Sequence, residues 1–169
     1  AELALDASGR ILAFGARSLG NTGPPPMGVG VLIPLVLSPF VAVGVYHIPA
    51  IRFEISAVMT NTAPIGAYRG AGRPEAIYVV ERLMDAAARQ TGIDPREIRK
   101  INAIKPDAFP YTTPVGQVYD SGAFADLLDK ASAAADWDGF AARKAAAEAK
   151  GLLYGRGRAS YIEWTGGNT

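Results

Sequence analysis

The sequence has no cysteine and a single histidine, His47, among its 169 residues. The lack of cysteine excludes disulfide bonds, thiolate zinc sites and cysteine-ligated iron–sulfur clusters within the chain. One histidine leaves no room for a multi-histidine metal site. We therefore predict no metal ligands in this chain and a structural, hydrogen-bonded role for His47.

An excess of charge of one sign is also lacking. The chain has 17 basic and 16 acidic residues, a net charge of +1, so no overall field favours nucleic acid or an anionic membrane. Residues 29–45 carry no charge, but Pro34 and Pro39 interrupt this apolar stretch. It is also shorter than the roughly 20 residues that a membrane-spanning helix needs. We predict no membrane span, and a buried segment or short helix instead.

Neither of the two familiar phosphate-binding patterns, G-x-G-x-x-G and G-x-x-x-x-G-K-[ST], occurs in the chain. Residues 66–76 nevertheless hold three glycines, two arginines and a proline directly before an amphipathic helix. Arg69 and Arg73 are permanent charges that can bind oxyanions, and a helix start favours anions. The residue types predict an anion or cofactor contact, although a tight helix connection with a cap would use the same residues.

Hydrophobic periodicity predicts an α+β fold, because strand-like alternation in the first part of the chain gives way to helical periodicity. The alternation predicts a β-hairpin in residues 3–14, a loop over 20–30 and a strand over 51–60. Further along, Gly92 is predicted to end the first helix, Asp94 to cap the second and residues 120–122 to cap a third.

In the helix predicted over residues 74–90 the apolar stripe lies opposite a polar face that includes Glu81 and Asp85. Arg156 and Arg158 are expected on a solvated strand face. We treat residues 1–169 as a single unit that is strand-rich over 1–60, a loop over 61–73, helical over 74–150 and a strand over 152–164.

The loop and several separated segments resemble a known family. Residues 60–64, TNTAP, and 67–76, AYRGAGRPEA, are similar to the molybdenum-binding large subunits of the xanthine dehydrogenase family. Within it they resemble the branch labelled aerobic carbon monoxide dehydrogenase large subunit. Further similar segments are GVYHIP at 44–49, IDP at 93–95, PYTTP at 110–114, YDSG at 119–122 and YIE at 161–163.

This resemblance implies a cytoplasmic molybdopterin oxidoreductase that hydroxylates a carbon centre with water. It implies the cytosine dinucleotide form of the cofactor, and electron transfer to 2Fe-2S and FAD groups on partner subunits. It places Arg69 against the molybdenum centre, with Gly70 and Gly72 beside the cofactor. Ala71 and Tyr68 are the matching substrate-pocket positions, although a tyrosine at a loop base is equally often a packing anchor.

One position departs from the relatives that oxidise carbon monoxide. In those enzymes a cysteine follows the arginine and binds copper, whereas this chain has Gly70 there. A soft thiolate is the ligand that selects Cu(I), and glycine offers no ligand atom. We therefore expect no copper, and a small substrate such as an aldehyde or an N-heterocycle. Alternatively, Gly70 and Ala71 only shape the loop.

The resemblance also implies that much of the active site lies outside this chain. The family's catalytic glutamate and most of its pterin-binding segments have no counterpart here, so we predict no catalytic residue. Glu75 is explained by helix electrostatics and Glu163 by an outward strand position. We expect a fragment of a longer large subunit that is inactive alone. The rival hypothesis is a non-catalytic anion-binding or assembly module.

Overall fold

A three-stranded mixed sheet forms one layer of the molecule. The computed structural model describes residues 1–24 and 30–163. Strands β1 (Glu2–Leu5) and β2 (Ile11–Gly23) form the predicted antiparallel hairpin. Strand β3 (Ile51–Met59) lies parallel to β2, with Phe14 opposite Ile51. The order in the sheet is β1-β2-β3.

The connection from β2 to β3 contains the predicted buried segment. A π-helical turn, Ile33–Leu37, leads into the short helix α1 (Ser38–Val41), and the following Val43 and Ile48 are fully buried. Within the described residues, no helix has the length and apolarity to cross a membrane. The loop expected over residues 20–30 begins later, because β2 continues to Gly23. Residues 25–29 of that loop lie outside the described part of the chain.

Helices α2 (Arg73–Thr91) and α3 (Pro95–Asn102) cover one face of the sheet. Gly92 ends α2 with a φ of 73°, and the carboxylate of Asp94 accepts hydrogen bonds from the first backbone N–H groups of α3, as predicted. The apolar stripe of α2 is correct, but the placement of Glu81 in solvent is wrong. Glu81 is only 4% exposed. It lies four residues after Ile77 and three before Met84, so it shares their inner face of the helix.

The helical region predicted over 74–150 is interrupted between α3 and the next helix. A 3-10 turn, Pro106–Ala108, precedes a small hairpin of β4 (Tyr111–Thr112) and β5 (Val118–Tyr119). Helices α4 (Phe124–Ala134) and α5 (Phe140–Glu148) follow. The mixture of strands and helices confirms the α+β class.

The cap predicted for α4 at residues 120–122 is wrong. The helix starts after Ala123 without a side-chain cap, because Ser121 donates to Asp120 rather than to the helix.

The strand predicted over 152–164 is also wrong for its described part, residues 152–163, which pair with no other strand. This segment lies against helices rather than at a sheet edge. The guanidinium groups of Arg156 and Arg158 lie 4.0 and 3.8 Å from the ring centroid of Trp137. These stacking contacts replace the solvated strand face expected for the two arginines. Residue 164 lies outside the described residues.

Candidate functional site

The site loop, residues 60–72, joins β3 to α2 and is anchored at its start. The hydroxyl of Thr60 donates to the side-chain oxygen of Asn21 at 2.7 Å. The amide nitrogen of Asn21 donates to the hydroxyl of Thr62 at 2.9 Å. The backbone N–H of Thr60 donates to the carbonyl of Gly23 at 2.8 Å. Three hydrogen bonds between the end of β2 and the start of the loop therefore hold its first residues.

The end of the loop is anchored by close packing. Gly70, Ala71 and Gly72 have φ values of 107°, 39° and 95°, all in the left-handed region. A Cβ atom on Gly72 would lie 2.8 Å from Oγ and 2.9 Å from the backbone nitrogen of Ser38. Helix α1 thus approaches Gly72 so closely that only glycine fits. Ala71 is a non-glycine residue in this region, a conformation that persists only when its surroundings enforce it.

The middle of the loop is exposed. Tyr68 is 92% exposed, so it is not the packing anchor considered as its alternative role. Arg69 is also exposed and forms no hydrogen bond or ion pair within the described part of the chain. Among the other predicted site residues, Gly70 and Ala71 are half-buried and Gly72 is buried. The roles of all five residues in cofactor and substrate binding remain predictions.

Arg73 does not join Arg69 in forming the predicted anion contact. Its Nη1 donates to the carbonyl oxygen of Gly70 at 3.2 Å, and its Nε lies 3.1 Å from Oε1 of Glu163. Glu163 is thus an ion-pair partner rather than an outward strand residue. Glu75 is exposed in the first turn of α2, where its charge complements the positive helix end.

An apolar cavity of about 240 Å³ lies beside the site loop. The sheet, α1 and the first turns of α2 form its walls, and Ile65 of the site loop and Glu75 contribute to the lining. The cavity places the site loop next to an apolar surface that accommodates an apolar group. Its walls include Phe53, Ile55, Pro34 and Val79.

Sequence reasoning missed a buried charged cluster between α2 and α3. Arg99 is 2% exposed. Its Nε donates to Oε2 of Glu81 at 3.0 Å, and its Nη2 donates to Oδ1 of Asp85 at 2.8 Å. The hydroxyl of Tyr46 donates to Oε1 of Glu81 at 2.6 Å. Burial, together with the adjacent Glu81 carboxylate, raises the pKa of Tyr46 well above its usual range. The cluster holds α2 to α3, and the inner-face spacing of Glu81 was the signal for it.

A second missed residue is Asn102, at the end of α3. Its Oδ1 accepts a hydrogen bond from the backbone N–H of Ile11, and its Nδ2 donates to the carbonyl of Gly9. The side chain thus links α3 to the β1–β2 turn.

His47 is exposed, and its ring centroid lies 5.8 Å from that of Tyr111. Its backbone N–H donates to the carbonyl of Asn102, so its structural role rests on the backbone and on ring packing.

Comparison with known proteins gives a consistent result. Residues 1–103 match the family model of the molybdopterin cofactor-binding domain. The chain is 32% identical over 173 residues to the nicotine 6-hydroxylase large subunit of Paenarthrobacter nicotinovorans, covering 99% of this chain and 21% of that protein. It is 39% identical over 128 residues to the carbon monoxide dehydrogenase large chain of Hydrogenophaga pseudoflava, covering 73% of this chain and 16% of that protein.

Solved structures agree with the sequence comparison. Quinoline 2-oxidoreductase from Pseudomonas putida 86 matches with a TM-score of 0.77 and 37% identity, covering 88% of this chain and 19% of that one. This chain spans only 16% to 21% of the length of the two curated relatives named above. The matched residues 1–103 contain the sheet, the complete site loop and α2. The chain belongs to the molybdopterin cofactor-binding domain family and is similar to large subunits of the xanthine dehydrogenase family.

Proposed function

We propose that this chain supplies the site loop to the molybdopterin centre of an oxidoreductase. The observation that carries the proposal is Arg69, an exposed cation without a partner in the described residues, on a loop anchored at both ends. A charged side chain held out on a fixed backbone suits a ligand that other segments of the enzyme hold in place. Family membership supports molybdopterin as that ligand.

The residues present fit such a group. The guanidinium of Arg69 is permanently protonated and can donate two parallel hydrogen bonds to anionic oxygens. Gly70 and Gly72 are the proposed backbone contacts of the cofactor. Pro74 and Ser38 occupy the space where their side chains would lie, so these contacts would use the backbone on the other side of the loop. The bound molybdenum centre supplies two-electron oxidation with oxygen drawn from water. Arg69 would bind and orient the anionic oxygens of the cofactor, while the neighbouring Ala71 and Tyr68 would border the substrate.

The proposed substrate is an aldehyde or an N-heterocycle rather than carbon monoxide. Relatives of this chain are named for nicotine and quinoline, which contain nitrogen heterocycles. One relative is named for carbon monoxide, but Gly70 offers no thiolate for a copper ion. The small side chain of Ala71 leaves room for a ring next to Arg69. We propose no copper at this loop.

The proposed assembly is larger than this chain. The remainder of the large subunit would hold most of the pterin, in its cytosine dinucleotide form, and the catalytic base. Separate FAD and 2Fe-2S subunits would accept the electrons, in the cytoplasm. The relatives' names include the words large subunit and large chain, which supports a multi-subunit enzyme.

The proposal is tested by measuring molybdenum and pterin in two samples. The chain alone should hold neither, whereas the complete large subunit, expressed with its partner subunits, should hold both in equal amounts. Stoichiometric cofactor and turnover in the chain alone would overturn the incomplete-site proposal.

Replacing the proposed cofactor-contacting arginine tests the loop itself. In the complete enzyme, Arg69→Ala should lower kcat by about a hundredfold, because it removes a preorganised charge from the reacting centre. Arg89→Ala, at an exposed position near the end of α2, is the matched control and should keep wild-type kinetics. Unchanged kinetics in Arg69→Ala would remove the loop from the active site.

The rival function, a non-catalytic anion-binding or assembly module, relies on the same exposed cation. Calorimetric titration of the chain with nucleotides discriminates between the two. Tight binding that Arg69→Ala abolishes, in the absence of any molybdopterin, would favour the rival. An absence of binding supports the enzyme proposal, in which the cofactor is held mainly by other segments.

A further inference from the structure

The guanidinium of Arg73 links two separate parts of the chain at the site loop. Its Nη1 and its backbone N–H both donate to the carbonyl oxygen of Gly70, at 3.2 and 3.0 Å. Its Nε lies 3.1 Å from Oε1 of Glu163, which is 90 residues further along the chain. The side chain of Arg73 is 11% exposed and that of Glu163 is 50% exposed. One loop carbonyl therefore accepts two hydrogen bonds from a single, nearly buried residue.

These two hydrogen bonds fix the orientation of the peptide between Gly70 and Ala71. A trans peptide is planar, and its C=O and N–H groups point in opposite directions. Because the carbonyl points to Arg73, the N–H of Ala71 points away from it. Both residues have left-handed φ values, 107° and 39°. Glycine adopts such a value freely, but Ala71 keeps it only where neighbouring contacts enforce it.

We infer that Arg73 is a positioning residue for the active site. Its guanidinium, held in place by Glu163, fixes the Gly70–Ala71 peptide and, with it, the direction in which Arg69 leaves the loop. This inference rests on the proposed function of the site loop. It gives the segment at residues 152–163 a task that sequence patterning does not suggest, because that segment brings Glu163 to the loop.

The two contacts use the shape of arginine as well as its charge. Nη1 and Nε are on different sides of a rigid planar fork, so Nη1 can donate to the carbonyl of Gly70 while Nε lies in an ion pair with the carboxylate of Glu163. The ammonium of a lysine is a compact charge on a flexible stem and would not hold both partners in this geometry. A lysine variant therefore separates the positioning role from a purely electrostatic one.

The test uses the complete large subunit with its partner subunits. The variants are Arg73→Lys and Glu163→Gln, with Arg89→Ala as the matched control on α2. Three quantities are measured: amide hydrogen exchange of residues 66–73, molybdenum content, and kcat with KM. Exchange reports on the loop directly and does not depend on turnover.

We expect Arg73→Lys to accelerate exchange in residues 66–73 by about tenfold, because the charged hydrogen bond from Nη1 to the loop is lost. The kcat should also fall by about tenfold, with KM and molybdenum content little changed, since misplacement affects the reacting geometry more than binding. Glu163→Gln should change both quantities in the same direction by about threefold, because its ion pair is half exposed. Arg89→Ala should match the wild type.

Wild-type exchange in both variants overturns the inference, as does a fall in kcat without faster exchange in residues 66–73. If Arg73→Lys does not fold, Glu163→Gln decides by the same exchange measurement, because it alters only one half-exposed partner. Failure of the proposed function has a different signature. A wild-type enzyme without molybdenum refutes the enzyme proposal and the role of Arg73 in it, whatever the exchange rates.

Discussion

Two arginines, one on the loop before α2 and one in α3, use their charge in opposite ways. Arg99 is 2% exposed and is surrounded by Glu81, Asp85 and the hydroxyl of Tyr46. Arg69 is exposed and has no partner in the described part of the chain. Helix α2 connects the two regions, since the charged cluster holds its middle and the site loop leads into its start. The difference indicates that Arg99 serves the fold, whereas the charge of Arg69 is available to the proposed ligand.

The largest expected effect on stability comes from removing Arg99, the buried arginine. Arg99→Ala should lower the free energy of unfolding by about 3–5 kcal/mol, because it leaves Glu81 buried without its counter-charge. Urea unfolding followed by circular dichroism measures this loss. Arg89→Ala, on an exposed helix position, should stay within about 0.5 kcal/mol of the wild type. Equal losses in the two variants would contradict the structural role assigned to Arg99.

The junction between the two regions comes next. Gly72→Ala should cost about 3 kcal/mol, because the new methyl group meets Ser38 and the backbone has a φ of 95°. Gly92→Ala is a matched control at the other end of α2. It also has a positive φ, 73°, but nothing lies within 4 Å of its added Cβ, so its cost should be about 1 kcal/mol. Comparable unfolding free energies for the two variants would show that α1 does not press on the loop.

High pH should destabilise the folded interior through Tyr119, a buried residue of β5 outside the charged cluster. Burial and the nearby Tyr111 raise the pKa of Tyr119 to about 12 from its ordinary value of 10. The folded chain therefore keeps a proton that the unfolded chain loses, so stability is full below pH 10 and falls as the pH rises towards 12. The loss should reach about 2 kcal/mol in urea unfolding measured across this range. Tyr119→Phe should reduce the slope, and Tyr68→Phe, at an exposed position, should not.

The smallest expected effect on stability belongs to Arg69. Arg69→Ala should change the unfolding free energy of the chain by no more than about 0.5 kcal/mol, because an exposed side chain without partners contributes little to folding. The same substitution has the large effect on kcat predicted above. A loss near that of Arg99→Ala in urea unfolding would show that Arg69 serves the fold, and the contrast between the two arginines would disappear.

Local patterns predicted the regular elements well. Alternation identified the β1–β2 hairpin and β3, and the residues Asp94 and Gly92 marked the correct helix ends. These features depend on neighbours a few positions apart, which the sequence displays directly. The site loop was located for the same reason, since its glycines and arginines are contiguous. Resemblance to a family, confirmed by comparison, then supplied the cofactor class.

Long-range contacts were the part that patterns missed. Glu81 was assigned to solvent because a carboxylate on an amphipathic helix is usually exposed, and its partner Arg99 is 18 residues away. Glu163 was assigned to a strand, yet it forms an ion pair with Arg73, which lies 90 residues earlier in the chain. Alternation also suggested a strand at residues 152–163, where the arginines instead stack on Trp137. Only tertiary structure brings such partners together.

The parallel pairing of β3 has a practical consequence for handling the chain. In the described residues β3 pairs with β2 along one edge, and its nine-residue outer edge carries no further strand. The final residues of that strand, Val58 and Met59, are 40% and 66% exposed. An open edge with exposed apolar side chains is a template for strand addition from another molecule. Purified alone, the chain should therefore be limited by aggregation at high concentration before it is limited by unfolding.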